Sequence, residues 1–330
     1  MINPMKALKL KKKLFSLLAI TVILTAFAQQ PIRADEIDEV SVEDRIAAVG
    51  FGKVFSSDPQ KEILNIFKKL DSYSEKQDLK KLKLLYSDDF VNNDGYDIDT
   101  YLKSVKNGFS SYKVKNLFTK VNNIAINDDY AVVHVTETGE AETLKPVEGI
   151  SGNGLIISTA DVYYYLKREN GKWKIASSNI MDETCSILYG SAKSVYFSIN
   201  VPSQVKSGSE YTISLAFAPL KEVFVAASLF SSPIIYPMNL PKTDFKAIKG
   251  DGVLERLVTA NSDDYNEYAV ATIGMTSPKL ITDNQYELET TGSAIVMRRV
   301  NVFRPMPQKI SKKHVEKKID KLTEKDGQGE

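Results

Sequence analysis

Histidine is the side chain whose charge ordinarily changes near neutral pH, and this chain of 330 residues has only two, His134 and His314. His134 lies in the alternating run Tyr130–Thr138, where a period of two puts it on one face with Tyr130, Val132 and Thr136. A second run, 156–167, puts Asp161 on one face with Tyr163 and Tyr165. If both faces turn to one interior, His134 and Asp161 form an acid/base pair and the Tyr163 hydroxyl stabilises an oxyanion, the equipment for moving a proton beside a carbonyl. Tyr130, Thr136 and Asn179 complete the candidate ligand-binding set. The residues also fit a plainer reading, a hydrogen-bonded strand histidine and an exposed carboxylate, and the sequence favours it. Tyr163, Tyr164 and Tyr165 divide between two faces, so strand propensity explains them better than an aromatic cage does.

Other chemistries find less support. The single cysteine, Cys185, excludes an internal disulfide and a cysteine-built zinc site, and its apolar neighbours Ile187, Leu188 and Tyr189 point to a buried, inert thiol. There is no G-x-S-x-G elbow, and two histidines give a hydrolase triad little to draw on. In the acidic loop Asp88–Asp99, Gly95 at the sixth place of a calcium loop would make Phe90 the first ligand and Tyr101 the twelfth, so the pattern fails. Gly50 and Gly52 form a lone G-x-G with no strand before it and no third glycine in place. No metal and no cofactor are expected.

Forty-three Lys and Arg against forty-two Asp and Glu give a formal charge of +1, so no field draws nucleic acid. Hydrophobic residues at 43% and charged ones at 26% fit a globular chain. The N-terminus carries five lysines (Lys6 to Lys13), then an uncharged run Leu14–Ala28 with Ala26 and Ala28 placed as in an A-x-A cleavage site. That is the form of a signal peptide, with a run too short to span a bilayer. The expectation is export to a periplasmic or extracellular address, with no transmembrane span in the mature chain. Loss of residues 1–28 removes five Lys and no acid, taking the formal charge to −4.

The elements that must position these side chains follow from periodicity. Residues 29–56 are an acidic lead-in of uncertain role. Asp58–Pro59 reads as a helix cap followed by a first-turn proline, and Ile63, Ile66, Phe67, Leu70 and Tyr73 then recur at helical spacing. Leu79, Leu82, Leu85 and Tyr86 mark a second helix, and Tyr101, Leu102, Val105 and Phe109, capped near Asp97 or Asp99, a third. The lysines between them read as solvated faces. From Lys115 the period becomes two, with strands over 121–126, 130–138, 156–167 and 172–180, the last two joined by the hairpin signal Asn170–Gly171.

These residues carry a resemblance. Asp88-Asp89-Phe90 after paired helices, then the stretch Asp161–Ile175 with Asn170-Gly171-Lys172-Trp173 at its turn, is similar to nuclear transport factor 2-like domains, including SnoaL-like proteins, over about residues 57–182. The resemblance implies a sheet curled into a cone with helices as a lid over a pocket, a scaffold used by isomerases, dehydratases, hydrolases, ligand binders and interaction modules. It also implies a homodimer through the open sheet face. SnoaL-like members often carry a pocket histidine six residues past the tryptophan. Here that position holds Asn179, whose amide cannot take and return a proton.

After a Ser/Gly junction at 184–193, seven strand-like runs over 194–305 resemble an immunoglobulin-like β-sandwich. Tyr268, following the Asp263–Asp264 turn, looks like a tyrosine corner. Residues 306–330, with seven Lys and five acids, read as a disordered tail. The expected organisation is therefore a signal peptide 1–28, a lead-in 29–56, an α+β cone 57–183 of three helices on a curved antiparallel sheet, a linker 184–193, an all-β sandwich 194–305 and the tail. The expected function is that of an exported, non-enzymatic binding protein taking a small apolar ligand in the cone or an envelope protein as partner. The alternatives are a SnoaL-like isomerase or hydrolase using His134 and Asp161, and a structural module whose cone is filled by its own side chains.

Overall fold

A computed structural model describes residues 58–218, 220–237, 244–248, 252–282 and 285–304. The expected signal peptide, lead-in and tail lie outside the described residues. No helix among these residues is long and apolar enough to cross a membrane.

Three helices come first, the first and third capped where the sequence predicts and the second capped by Asp78. Helix α1 spans Pro59–Glu75, with the Asp58 carboxylate accepting from the Gln60 amide at 3.0 Å and Ile63, Ile66, Phe67 and Leu70 buried along one stripe. Helix α2 spans only Leu79–Lys83 behind Asp78. Its expected continuation through Tyr86 gives way to strand β1, Tyr86–Asn92, because Leu85 and Tyr86 bury themselves beside a later strand. Helix α3 spans Ile98–Phe109, capped by Asp97.

A meander follows: β2 (Tyr112–Asn127), β3 (Tyr130–Pro146), β4 (Asn153–Glu169) and β5 (Lys172–Gly190). Asn170 and Gly171 both have positive φ, 49° and 76°, the geometry a two-residue hairpin of the right twist requires. Strand β5 is the hinge of the architecture. Along one edge, its early residues pair in parallel with β1 (Ile175 with Tyr86, Ser178 with Asn92). Along its later part, Thr184–Gly190 pair antiparallel with Arg298–Gly292.

That second pairing overturns the expected fold class. The chain is not an α+β cone of three helices followed by a separate all-β sandwich. It is mostly antiparallel sheet, with one ten-stranded sheet carrying most of both halves. Beyond β5 the strands are β6 (Phe197–Asn200), β7 (Gln204–Lys206), β8 (Glu210–Phe217), β9 (Phe224–Pro233), β10 (Lys246–Ile248), β11 (Val253–Thr259), β12 (Glu267–Thr282) and β13 (Gln285–Phe303). The large sheet runs β10-β9-β12-β13-β5-β4-β3-β2, with β1 on β5 and β7 on β13, and among the described residues β11-β8-β6 form a second sheet. The stretch expected as a linker is the end of β5 plus a 3₁₀ turn, Ser191–Ser194. Its polar start, Asp182-Glu183-Thr184, hid the continuation. In the fold Asp182 accepts from Arg298 at 3.2 and 3.1 Å, and buried Glu183 accepts from the Tyr268 hydroxyl at 2.7 Å. Tyr268 thus bonds a strand of the first half rather than closing a tyrosine corner.

Two apolar cores sit on opposite faces of the long sheet. One lies under the helices and draws Phe230, Tyr268, Val270, Ile295 and Met297 from the second half. The other is closed by β6, β8 and β11 over β9, β12 and β13, with Ile213, Leu215, Ala271 and Ile273 at its centre. Cys185 is buried in the first core, which pushes its thiol up and out of reactive range. Between the halves Arg299, fully buried, forks onto the equally buried Asp94 of the β1–α3 loop, and Asn266 donates to the Asp94 carboxylate at 2.9 Å.

Breaking that pair strands a buried charge. Arg299→Met is expected to cost about 3–5 kcal/mol in urea unfolding, and Arg299→Met with Asp94→Leu to recover most of it. Trp173 fluorescence, from the first half, and far-ultraviolet dichroism, from both, should trace one shared transition.

Candidate functional site

All six expected site residues sit on the face of the β2–β3–β4–β5 sheet that points away from the helices. The antiparallel register sets His134 opposite Tyr163, Thr136 opposite Asp161 and Tyr163 opposite Asn179. His134 Nε2 lies 2.6 Å from Asp161 Oδ1, and the imidazole stacks on the Tyr163 ring with centroids 4.5 Å apart and planes 11° from parallel. The Asp161 carboxylate and the Tyr163 ring together fix the orientation of the imidazole. Thr136 Oγ1 accepts from the Asn122 amide at 2.8 Å. Tyr130 is 67% exposed, and Val132 and Tyr165, opposite each other, are exposed as well. The His134, Asp161 and Tyr163 side chains thus come together, but on an open sheet face instead of inside a cone.

The other face carries the buried polar groups. Alternation sends Val133, Val135 and Glu137 of β3, and Val162, Tyr164 and Leu166 of β4, under the helices. Glu137 accepts from the Tyr164 hydroxyl at 2.6 Å. Tyr164 in turn takes the edge of Phe67 from α1, centroids 5.3 Å apart. Burial pushes the Glu137 carboxyl up to about 8, against the pull of the Tyr164 hydrogen bond, and nearby Asp71 and Glu183 add to the rise. Asp71 on α1 is raised by burial to about 6 although Thr119 donates to it through both amide and hydroxyl. Glu183 reaches about 7, again through burial, with Arg299 and Tyr268 opposing.

A neutral carboxyl beside a tyrosine hydroxyl is the material of proton transfer, but Glu137 is 3% exposed. Its hydrogen-bond partner Tyr164 packs on Phe67, and the Tyr86 and Tyr101 hydroxyls, near enough to feel its charge, pair with each other at 3.0 Å; all of these side chains are buried. A hollow of about 640 Å³ lies elsewhere, between α2, α3 and the β4–β5 hairpin. Sequence reasoning missed Glu137, although a signal was present: it follows Val133 and Val135 at strict alternation, a lone acid on an apolar strand face. Among the described residues no cluster of three or more His, Cys, Asp or Glu is arranged to hold a metal ion.

Solved structures similar to part of this chain include an NTF2-like protein from Cytophaga hutchinsonii, 19% identical with a TM-score of 0.30, covering 38% of this chain and 98% of its own. A conserved protein from Planctomyces limnophilus is 14% identical with a TM-score of 0.31, covering 37% of this chain and 93% of its own. A hexachlorocyclohexane dehydrochlorinase of type 3 from Novosphingobium barchaimii is 16% identical with a TM-score of 0.30, covering 37% of this chain and 84% of its own. These matches fall on about residues 57–190. Likeness at this level says nothing of what the chain binds or does. No protein-family model matches the chain, and no curated protein does.

The buried carboxyls set a pH dependence. A carboxyl with an ordinary value of 4.5 that is held near 8 in the fold keeps its proton there while the unfolded chain loses it. Its contribution is therefore whole below about 4.5 and is lost as pH rises through about 8. Stability should fall from pH 5 to pH 8. Glu137→Gln, which keeps an acceptor for Tyr164, should flatten the slope by up to about 1.4 kcal/mol per pH unit, read from urea midpoints across that range.

Proposed function

We propose that the mature chain is an exported, non-enzymatic interaction protein that docks an envelope protein through the open face of β2, β3 and β4. One observation carries this reading: the candidate polar and aromatic residues share the uncovered sheet face, while the space beneath the helices is taken up by the protein's own side chains. Phe118, Tyr130, Val132 and Tyr165 supply exposed apolar and aromatic surface, and the stacked His134–Tyr163 pair with Asp161 gives it a polar centre. Exposed aromatic residues grouped around a fixed polar group are the composition of a docking patch. The lysine-rich start and the run Leu14–Ala28 support the address.

Native mass spectrometry of the protein purified from its own envelope tests this. The expected result is a retained protein partner whose recovery falls at least tenfold in Tyr130→Ser/Tyr165→Ser, with the melting temperature unchanged. A retained small apolar molecule and no protein overturns the reading. So does turnover of ketosteroids, epoxides or esters that is lost in His134→Ala or Asp161→Asn.

A further inference from the structure

Helix α1 is tied to the sheet through carboxylates. Asp71 and Glu75 lie one helical turn apart, and they face Thr119 and Leu117, two residues apart on β2, so each acid meets one strand amide. Asp71 accepts from the Thr119 amide at 3.0 Å and from its hydroxyl at 2.5 Å, and Glu75 accepts from the Leu117 amide at 3.0 Å. Strand β2 ends the large sheet, and these amides point off its edge toward the helix. Ile63, Ile66, Phe67 and Leu70 form the buried side of α1, whereas its lysines Lys61, Lys68 and Lys69 are exposed. Just past the helix, Gln77 takes a left-handed φ of 54° and donates to the Tyr112 carbonyl at 2.9 Å, a turn about which α1 can swing. At the other end Glu62 meets the half-buried Arg168 at 3.4 Å.

Acids meet beneath this helix. Glu137 stands directly opposite Thr119 in the β2–β3 register, so Asp71 from the helix and Glu137 from the sheet approach one residue, and the Asp71 charge acts on Glu137. The other titratable groups around Glu137 are the hydroxyls of Tyr164 on β4, Tyr86 on β1 and Tyr101 on α3, and the Glu183 carboxyl on β5. None of them is a cation, and Arg299 is engaged by Asp94 and Glu183. Two negative charges confined between helix and sheet would have neither water nor an opposite charge to offset them. The smallest movement that relieves them is lifting of the helix, which lets water in. The sheet itself holds, because β3, β4 and β5 are each paired on both sides.

We propose that α1 is a strap that lifts from β2 as pH rises, baring the face of β3 and β4 that carries Glu137 and Tyr164. Asp71, held at about 6, ionises first, and Glu137, held at about 8, follows. With α1 lifted, the Glu137 carboxyl returns to its ordinary value of 4.5 and gives up its proton. Opening is therefore coupled to proton release, and the opened fraction climbs about tenfold per pH unit until the closed form also ionises near the upper end of that range. The strap involves none of the residues of the docking face proposed above, which lie on the opposite side of the sheet.

Amide hydrogen exchange of the mature chain tests the strap, read residue by residue by NMR between about pH 6 and pH 8 and corrected for intrinsic rates. The Leu117 and Thr119 amides, accepted by α1 side chains, report its closure. Their opening should rise about tenfold per pH unit, or about a hundredfold across the range. It should also respond little to low urea and outpace the opening of the β12–β13 pairs, which open only with the whole molecule. Glu137→Gln, which keeps an acceptor for Tyr164 but has no proton to lose, should make the opening independent of pH. Glu140→Gln, at an exposed acid of the same strand, should keep the wild-type slope. The proposal is overturned by Leu117 and Thr119 amides that exchange only with the whole molecule at every pH, by an opening without a pH slope, or by a slope that survives Glu137→Gln.

Discussion

Everything in this molecule is tied to the way β5 shares a single edge between two partners. Its early residues close the helix-covered part against β1, and its later residues take β13. The interior on the helix side is therefore finished only with side chains from the second half: Val270 and Tyr268 from β12, Ile295 and Met297 from β13. The Arg299–Asp94 fork ties the halves together by pairing a fully buried guanidinium with a loop 205 residues earlier in the chain. A lone buried charge costs several kcal/mol, so neither partner tolerates being pulled away.

Within that frame, the parity of two strands decides what the protein can do. On β3 and β4 both faces carry aromatic and β-branched residues, Tyr163 and Tyr165 on one and Tyr164 on the other. The helices cover the face of Glu137 and Tyr164. The stacked His134–Tyr163 pair is thereby left at an open surface, while the carboxyl with the most displaced proton affinity is sealed beneath Phe67. The two kinds of chemistry in the same strands are separated by the thickness of one sheet.

Local signals survived intact from sequence to structure. The Asp58 cap, the Asp97 cap and the Asn170–Gly171 turn all lie where short-range chemistry puts them. The turns near 127–130 and 169–172 were legible for the same reason, and so was burial of Cys185, but the strands outrun their expected bounds: β2 starts at Tyr112 and not 121, β3 ends at Pro146 and not 138, and β5 ends at Gly190 and not 180. What was not legible depended on distant partners. Asp182 and Glu183 look like the end of a strand until Arg298 and Tyr268 arrive to satisfy them. Tyr268 fits a tyrosine corner by spacing, yet its hydroxyl follows the strongest acceptor within reach, which is on β5. The covered face of β3 could not be read from alternation alone, because alternation says which residues share a side and not which side meets α1. Only the lone Glu137 among valines marked it.

The separation in sequence between β5 and β13 has a consequence for how the molecule comes into being. Any process that delivers the chain from its N-terminus presents the first meander complete while the edge of β5 from Thr184 to Gly190 still has no neighbour. The strand that covers it is made some hundred residues later, and the guanidinium that neutralises Asp94 comes with it. Until then the nascent body holds a sticky rim and an unbalanced acid, and late closure of this kind is slow because distant segments must find each other. A fragment stopped at the apparent boundary near residue 183 would be left permanently in that half-made condition.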